Sequence, residues 1–135
     1  MMRVSKSTGY ALLAVGYIAR KQDAKGVVSA QVVSKKYDIP LEYLLKILQQ
    51  LVRANVLRSK RGPQGGFWLA KPTTKITMLE IIEAVDGAIA GELNVTELAG
   101  KDRYSTRVQQ AYEKAIFRAR NVCQKAKLAA LLGDK

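Results

Sequence analysis

The sequence predicts a mainly α-helical chain with one small β-hairpin, and three observations carry that expectation. Apolar residues recur at three- and four-residue spacing through most of the chain, the period of a helix that buries one face. One stretch breaks the period. Leu57-Arg58-Ser59-Lys60-Arg61 and Phe67-Trp68-Leu69-Ala70 flank Gly62-Pro63-Gln64-Gly65-Gly66, two strand-like arms around a turn of glycine and proline. From about Tyr104 to Leu132 neither glycine nor proline interrupts the helical pattern.

In chain order, Ser5-Lys6-Ser7 offers capping hydroxyls to a first helix whose apolar face is Tyr10, Leu13, Ala14, Tyr17 and Ile18, with Gly26 as its stop. Val27-Val28 suits a very short strand. Ser29 caps a second, short helix carrying Val32, Val33 and Tyr37, which ends near Asp38. Pro40 then starts a third helix, since proline disfavours helix in the residue before it and suits the first helical position. From Leu41 to Arg53 that helix is sharply two-faced. Leu41, Leu44, Ile47, Leu48, Leu51 and Val52 share one side, Glu42, Lys46, Gln49, Gln50 and Arg53 the other, and Tyr43 and Leu45 lie at the borders.

Two short helices joined by a tight turn, the second with a polar face, form a helix-turn-helix candidate. The hairpin directly behind it is basic on one arm and nearly free of bulk at its tip, which suits a wing. Arg58, Lys60 and Arg61 would neutralise phosphates or enter a minor groove, and the glycines would let the backbone come close. The fold class expected is therefore a winged helix-turn-helix plus a long C-terminal helix.

Lys71-Pro72-Thr73-Thr74-Lys75 reads as a linker. Thr77 and Glu80 have capping-box spacing before Met78, Leu79, Ile81, Ile82 and Val85, and Asp86-Gly87 stops this fourth helix. Residues 88–102 show no sustained period. In the last helix, Val108, Tyr112, Ala115, Ala119, Val122, Ala126 and Ala129 alternate spacings of four and three, a heptad seam too long for a small domain to cover alone. That seam is expected to be the dimerisation surface, the alternative being a helix folded back on its own domain. The expected organisation is residues 1–75 for DNA binding, 76–103 for a linker helix and loop, and 104–135 for dimerisation.

Charge points the same way. Residues 1–75 hold 14 Lys and Arg against three acids, whereas residues 76–135 hold nine against eight. A solubility charge would be spread evenly; this one is concentrated, as on a surface facing a polyphosphate. The single cysteine cannot form an internal disulfide, no apolar run approaches a membrane span, and the first residues lack a secretory pattern, so a cytoplasmic protein without membrane contact is expected. The chain has no histidine, no metal-spaced cysteines and no Gly-x-x-x-x-Gly-Lys loop, which argues against an enzyme.

Ser5-Lys6 with Tyr10-Ala11, then Ile39-Pro40-Leu41-Glu42-Tyr43-Leu44, then the Arg61-to-Ala70 string, then Ile81-Ile82-Glu83-Ala84-Val85-Asp86-Gly87 together resemble the Rrf-two (Rrf2) family of winged-helix regulators over residues 3–87. The resemblance, to a family of repressors and activators, implies a DNA-binding homodimer with the third helix in the major groove and the wing in the minor groove; two-fold symmetry then predicts a palindromic operator on double-stranded DNA, and a repressor is the expected role. Carried over by position, its base and backbone readers would be Glu42, Tyr43, Leu45, Lys46, Arg61, Gly62 and Pro63, and the expected DNA-binding set adds Lys6, Arg58, Lys60 and Gln64. Leu45 departs from the iron–sulphur branch, where a glutamate in this place reads cytosine. That branch also carries three cysteines between its fourth and long helices, where this chain has none. Cys123, near the seam, is expected to be a small buried hydrophobe, and no cofactor is expected. A structured-RNA binder, or a regulator working mainly through a protein partner or an unknown effector, are the alternative readings.

Overall fold

The computed structural model describes residues 4–89, 93–100 and 102–133. Helix α1 (Lys6–Lys25) starts at Ser5, whose extended backbone lets its hydroxyl accept the Thr8 N–H at 3.2 Å. It stops at Gly26, which turns to φ 85° while its N–H closes on the Gln22 carbonyl. Ala11, Ala14, Val15 and Ile18 are completely buried. The alanines on that face let other backbones approach, and α1 becomes the central helix of the molecule.

Helix α2 (Ala30–Tyr37) is capped by Ser29 and ended by Asp38 in the left-handed region at φ 55°. Helix α3 (Leu41–Arg53) follows Pro40 and buries Leu44, Ile47, Leu48 and Leu51, the face its periodicity predicts. Strands β1 (Leu57–Lys60) and β2 (Gly66–Leu69) pair antiparallel with Leu57 opposite Leu69 and Lys60 opposite Gly66. The short strand expected at Val27-Val28 is a single bridge: Val28 and Phe67 exchange N–H···O bonds of 2.9 and 2.8 Å. That bridge ties the wing to the α1–α2 connection. The expected linker contains a 3-10 turn at Thr73–Lys75. Helix α4 (Met78–Asp86) has the predicted capping box between Thr77 and Glu80 and packs against both α1 and α3.

Helix α5 (Val95–Ala99) lies where no period was legible, because five residues are too few to display one. Helix α6 (Arg103–Lys125) begins at a capping box made by Asp102 and Ser105. The uninterrupted helix expected to Leu132 is corrected here. It ends at Lys125, and Ala126 takes an extended conformation. The Ala126 carbonyl accepts the Met78 N–H and the Leu128 N–H donates to the Ile76 carbonyl, both at 2.8 Å. Ala126 and Lys127 are good helix formers, so the break is imposed by tertiary structure: it satisfies backbone groups at the start of α4. Helix α7 (Leu128–Leu132) then returns to the main core, with Leu128 buried and the Leu132 carbonyl accepting from Arg20 at 2.8 Å.

One core cluster joins α1, α2, α3, the hairpin, Ile76, Ile81 and Leu128. A smaller one, Leu79, Ile82 and Cys123, seats α6 on α4. The result is a helical layer with α3 and the hairpin at one surface and α6 at another.

Candidate nucleic-acid interface

Burial of one side of α3 leaves Glu42, Leu45, Lys46, Gln49 and Arg53 exposed on the other. Tyr43 and Leu45, placed by the sequence at the borders, are 38% and 37% exposed. Tyr43 does not project freely. Its hydroxyl pairs with that of Ser7, and its ring meets Tyr10 edge-on with centroids 5.8 Å apart. The Lys6 ammonium lies 5.7 Å from the centre of the Tyr10 ring, a cation–π contact. Thus Lys6, on a different helix, joins the α3 surface through two tyrosines that meet edge-on. Ser7, Tyr43, Lys46, Gln50 and Arg53 line a shallow groove there.

Ser7 was legible only as a capping hydroxyl, a role that Ser5 in fact fills. Its three-residue spacing from Tyr10 was the signal that both share one side of α1. Arg53 belonged to the predicted polar face but not to the predicted contact set.

All of Arg58, Lys60, Arg61, Gly62, Pro63 and Gln64 are exposed. The register puts Arg58 directly across from Trp68, so with Lys60 they share the outer face of the hairpin, while Leu57, Phe67 and Leu69 are buried beneath. Trp68 lies on the cationic side of the wing, half-buried. The glycines divide in role. A Cβ at Gly65 would stand 2.1 Å from the Lys60 carbonyl oxygen, and one at Gly66 2.5 Å from that of Val28. Gly65 is required by the turn's own closure, and Gly66 by the close approach of the Val27-Val28 segment to the hairpin. Gly62, at φ 105° with open space around it, alone matches the expected freedom of approach.

Among the described residues the ion pairs are Lys71 with Glu80 at 2.6 Å and Arg120 with Glu83 at 3.1 Å. No cation of α3 or the wing takes part. Glu83 also accepts the Ile89 N–H at 2.9 Å. At the other end of α4, Asp86 accepts from the Ser5 hydroxyl, the Ser5 N–H and the Thr8 hydroxyl at 2.6, 3.0 and 2.8 Å. Desolvation opposes its charged form, but these donors outweigh it and hold the carboxyl below the usual carboxylate range.

On α6, Tyr104 is 77% and Val122 69% exposed, Ala115 is exposed, and Val108, Tyr112 and Ala119 are half-buried. Ala126 falls in the break after the helix. The side of α6 next to this stripe carries Cys123, buried against Leu79 and Ile82.

With this geometry the chain can be set beside known proteins. The model of the Rrf2 family, described as iron-dependent transcriptional regulators, matches residues 4–134. The chain belongs to the Rrf2 family. Relatives include BadM of Rhodopseudomonas palustris, named as an HTH-type transcriptional regulator, 39% identical over 106 residues that make up 78% of this chain and 65% of that protein. The HTH-type transcriptional regulator IscR of Cereibacter sphaeroides is 38% identical over 65% of this chain and 57% of its own length. The chain thus spans less than two thirds of these relatives. Among solved structures, CymR, the global cysteine regulator of B. subtilis, superposes with a TM-score of 0.83 at 21% identity, covering 98% of this chain and 97% of that one. IscR of T. potens gives 0.73 at 24% identity over 97% and 86%. These likenesses establish the Rrf2 winged-helix fold.

The iron in the family's description does not fit this member. Iron–sulphur clusters require several thiolates, and protein iron sites otherwise draw on imidazoles and carboxylates. The chain has one cysteine and no histidine. Cys123 is 3% exposed beneath α4, and no group of three or more His, Cys, Asp or Glu able to hold a metal occurs among the described residues.

Proposed function

We propose that this Rrf2 member is a sequence-specific, double-stranded-DNA-binding transcription regulator, a cytoplasmic repressor acting as a homodimer on a palindromic operator. The observation that carries the reading is that the polar side of α3 and the basic arm and tip of the wing are both exposed, and their cations have no carboxylate partner among the described residues. Such charges remain available to release counterions from phosphates, which supplies most of the affinity for a duplex.

In this reading α3 enters the major groove. Lys46 and Arg53 meet phosphates or guanine edges, and Glu42 accepts from a cytosine amine. Leu45 has no hydrogen-bonding group and can meet only an apolar feature such as a thymine methyl. Tyr43, held by Ser7 and Tyr10, presents a fixed edge to the backbone or a base. Arg58, Lys60, Arg61, Gly62, Pro63 and Gln64 approach the minor groove and its phosphates. The stripe of half-buried Val108 and exposed Ala115 and Val122 on α6 packs against a second copy, with half-sites about one or more helical turns apart. The proposed division of labour gives DNA binding to residues 1–75 and dimerisation to residues 104–135, with residues 76–103 linking them.

A reader of single-stranded RNA would present several aromatics on a sheet; the hairpin here offers Trp68 alone. The test is a gel shift on the promoter of the protein's own operon with competing duplex DNA and structured RNA. Arg61→Ala is expected to weaken specific duplex binding several-fold or more. Unchanged affinity would reject the wing assignment, and preference for RNA would reject the duplex.

A further inference from the structure

The last residue of α4 grips the first turn of α1. Three donors, the Ser5 N–H, the Ser5 hydroxyl and the Thr8 hydroxyl, converge on the Asp86 carboxylate at 3.0, 2.6 and 2.8 Å. Thr8 is fully buried, so its hydroxyl has no access to water as a substitute partner. Ser5 also caps α1 through the Thr8 N–H at 3.2 Å, which makes the carboxylate and the helix cap one network. Lys6 and Ser7 stand inside this clamped turn, and Ser7 is the residue whose hydroxyl holds Tyr43 of α3. Tyr10, one turn on, completes the contact edge-on at 5.8 Å. Immediately after Asp86 the chain reverses at Gly87, φ 83°, and leaves towards α5 and α6.

We infer that Asp86 is a positioning residue for the reading surface, acting through Ser5 and Thr8 to set where Lys6, Ser7 and Tyr43 stand against a duplex. The inference rests on the DNA-binding reading above. A carboxylate near the interface would, through its charge alone, repel a polyanion, so its removal would tighten binding to every duplex alike. Positioning predicts the opposite sign, and for the cognate sequence only. An asparagine in its place can accept at one oxygen but turns two N–H donors towards the other donors, leaving at least one of the three without an acceptor. The clamp also stands where the chain departs for α6, so a displacement of that departure would reach Tyr43 through Asp86.

The experiment compares the full chain with Asp86→Asn, Asp86→Glu and Tyr43→Phe. Each is titrated with the duplex selected by the wild type and with random duplex of equal length, after correction for active fraction, alongside thermal melts. Asp86→Asn should weaken cognate binding by roughly tenfold, the scale of one lost charge-assisted hydrogen bond, while random-duplex affinity stays level or rises. Asp86→Glu should recover part of the loss, and Asp86→Asn should cost much less once Tyr43 is already phenylalanine. A lower melting temperature with an unchanged cognate-to-random ratio would reduce Asp86 to a structural residue and overturn the inference. Equal tightening on both duplexes would overturn it too. A wild type without preference would show, before any substitution, that the DNA-binding reading had failed. Should Asp86→Asn not fold, Ser5→Ala removes one donor of the same clamp and carries the same expectation.

Discussion

Leu45 is a large apolar side chain on the side of α3 proposed to read DNA, 37% exposed between Glu42, Lys46 and Gln49. Leucine has no hydrogen-bonding group, so against a base it offers only dispersion and apolar burial. If it meets a thymine methyl, replacing that thymine by uracil in the selected duplex should weaken wild-type binding a few-fold and leave Leu45→Ala unaffected, as fluorescence anisotropy would register. An equal loss in both proteins would place the methyl contact elsewhere. Acidic residues at this scale make a second prediction. Asp86 is held below the usual range as described, and Asp102 is held there chiefly by the N–H and hydroxyl of Ser105. A carboxyl depressed in the folded chain lends stability that is present above its unfolded value, near about 4, and is lost as pH falls through the folded one. Melting temperature should therefore hold from neutral pH to about 5 and drop below about 4, less steeply in Asp86→Asn. Identical slopes would deny the Asp86 clamp an energetic role. What sequence concealed at this scale was pairing over distance: Glu83 finds Arg120 thirty-seven residues away, Asp86 finds Ser5 eighty-one residues away, and no local pattern announces either.

Elements were more legible than their partners. Ser5, Ser29 and Thr77 cap the helices they were expected to cap, Gly26 and Gly87 stop theirs, and the two-faced α3 buries its predicted leucines. Each of these signals lies within a few residues of the structure it specifies. The break at Ala126 was invisible because it depends on Ile76 and Met78, about fifty residues earlier, whose backbone groups recruit the chain out of its helix. The wing was visible as a hairpin, yet the reason for two of its glycines was not. Gly65→Ala places a methyl against the Lys60 carbonyl, and relieving such a clash typically costs about 1–3 kcal/mol. The turn should open while the helical core stays intact. Far-ultraviolet circular dichroism should barely change, whereas affinity for the selected duplex should fall by about tenfold or more. Retained affinity would mean that wing shape does not govern binding.

Across the whole molecule the charge asymmetry acquires a place: the residues carrying the excess of cations build α1 to α3 and the wing, and the near-neutral remainder builds α4 to α7. α6 is fastened towards its C-terminal end by the Ala126–Leu128 connection, Cys123 and Arg120, and Tyr104, Ala115 and Val122 stay exposed on the stripe proposed to meet a second copy. Val122→Glu puts a charge on that stripe without touching the core, and sedimentation should then report a monomer with weakened duplex binding. A dimer of unchanged stability would move the interface elsewhere. The measurement that bears most directly on the central claim is the affinity of the purified chain for its selected duplex against random duplex of equal length at about 0.15 M salt. A reading surface made of α3 and the wing predicts a preference on the order of 10³ or more. Equal affinity for both would contradict it.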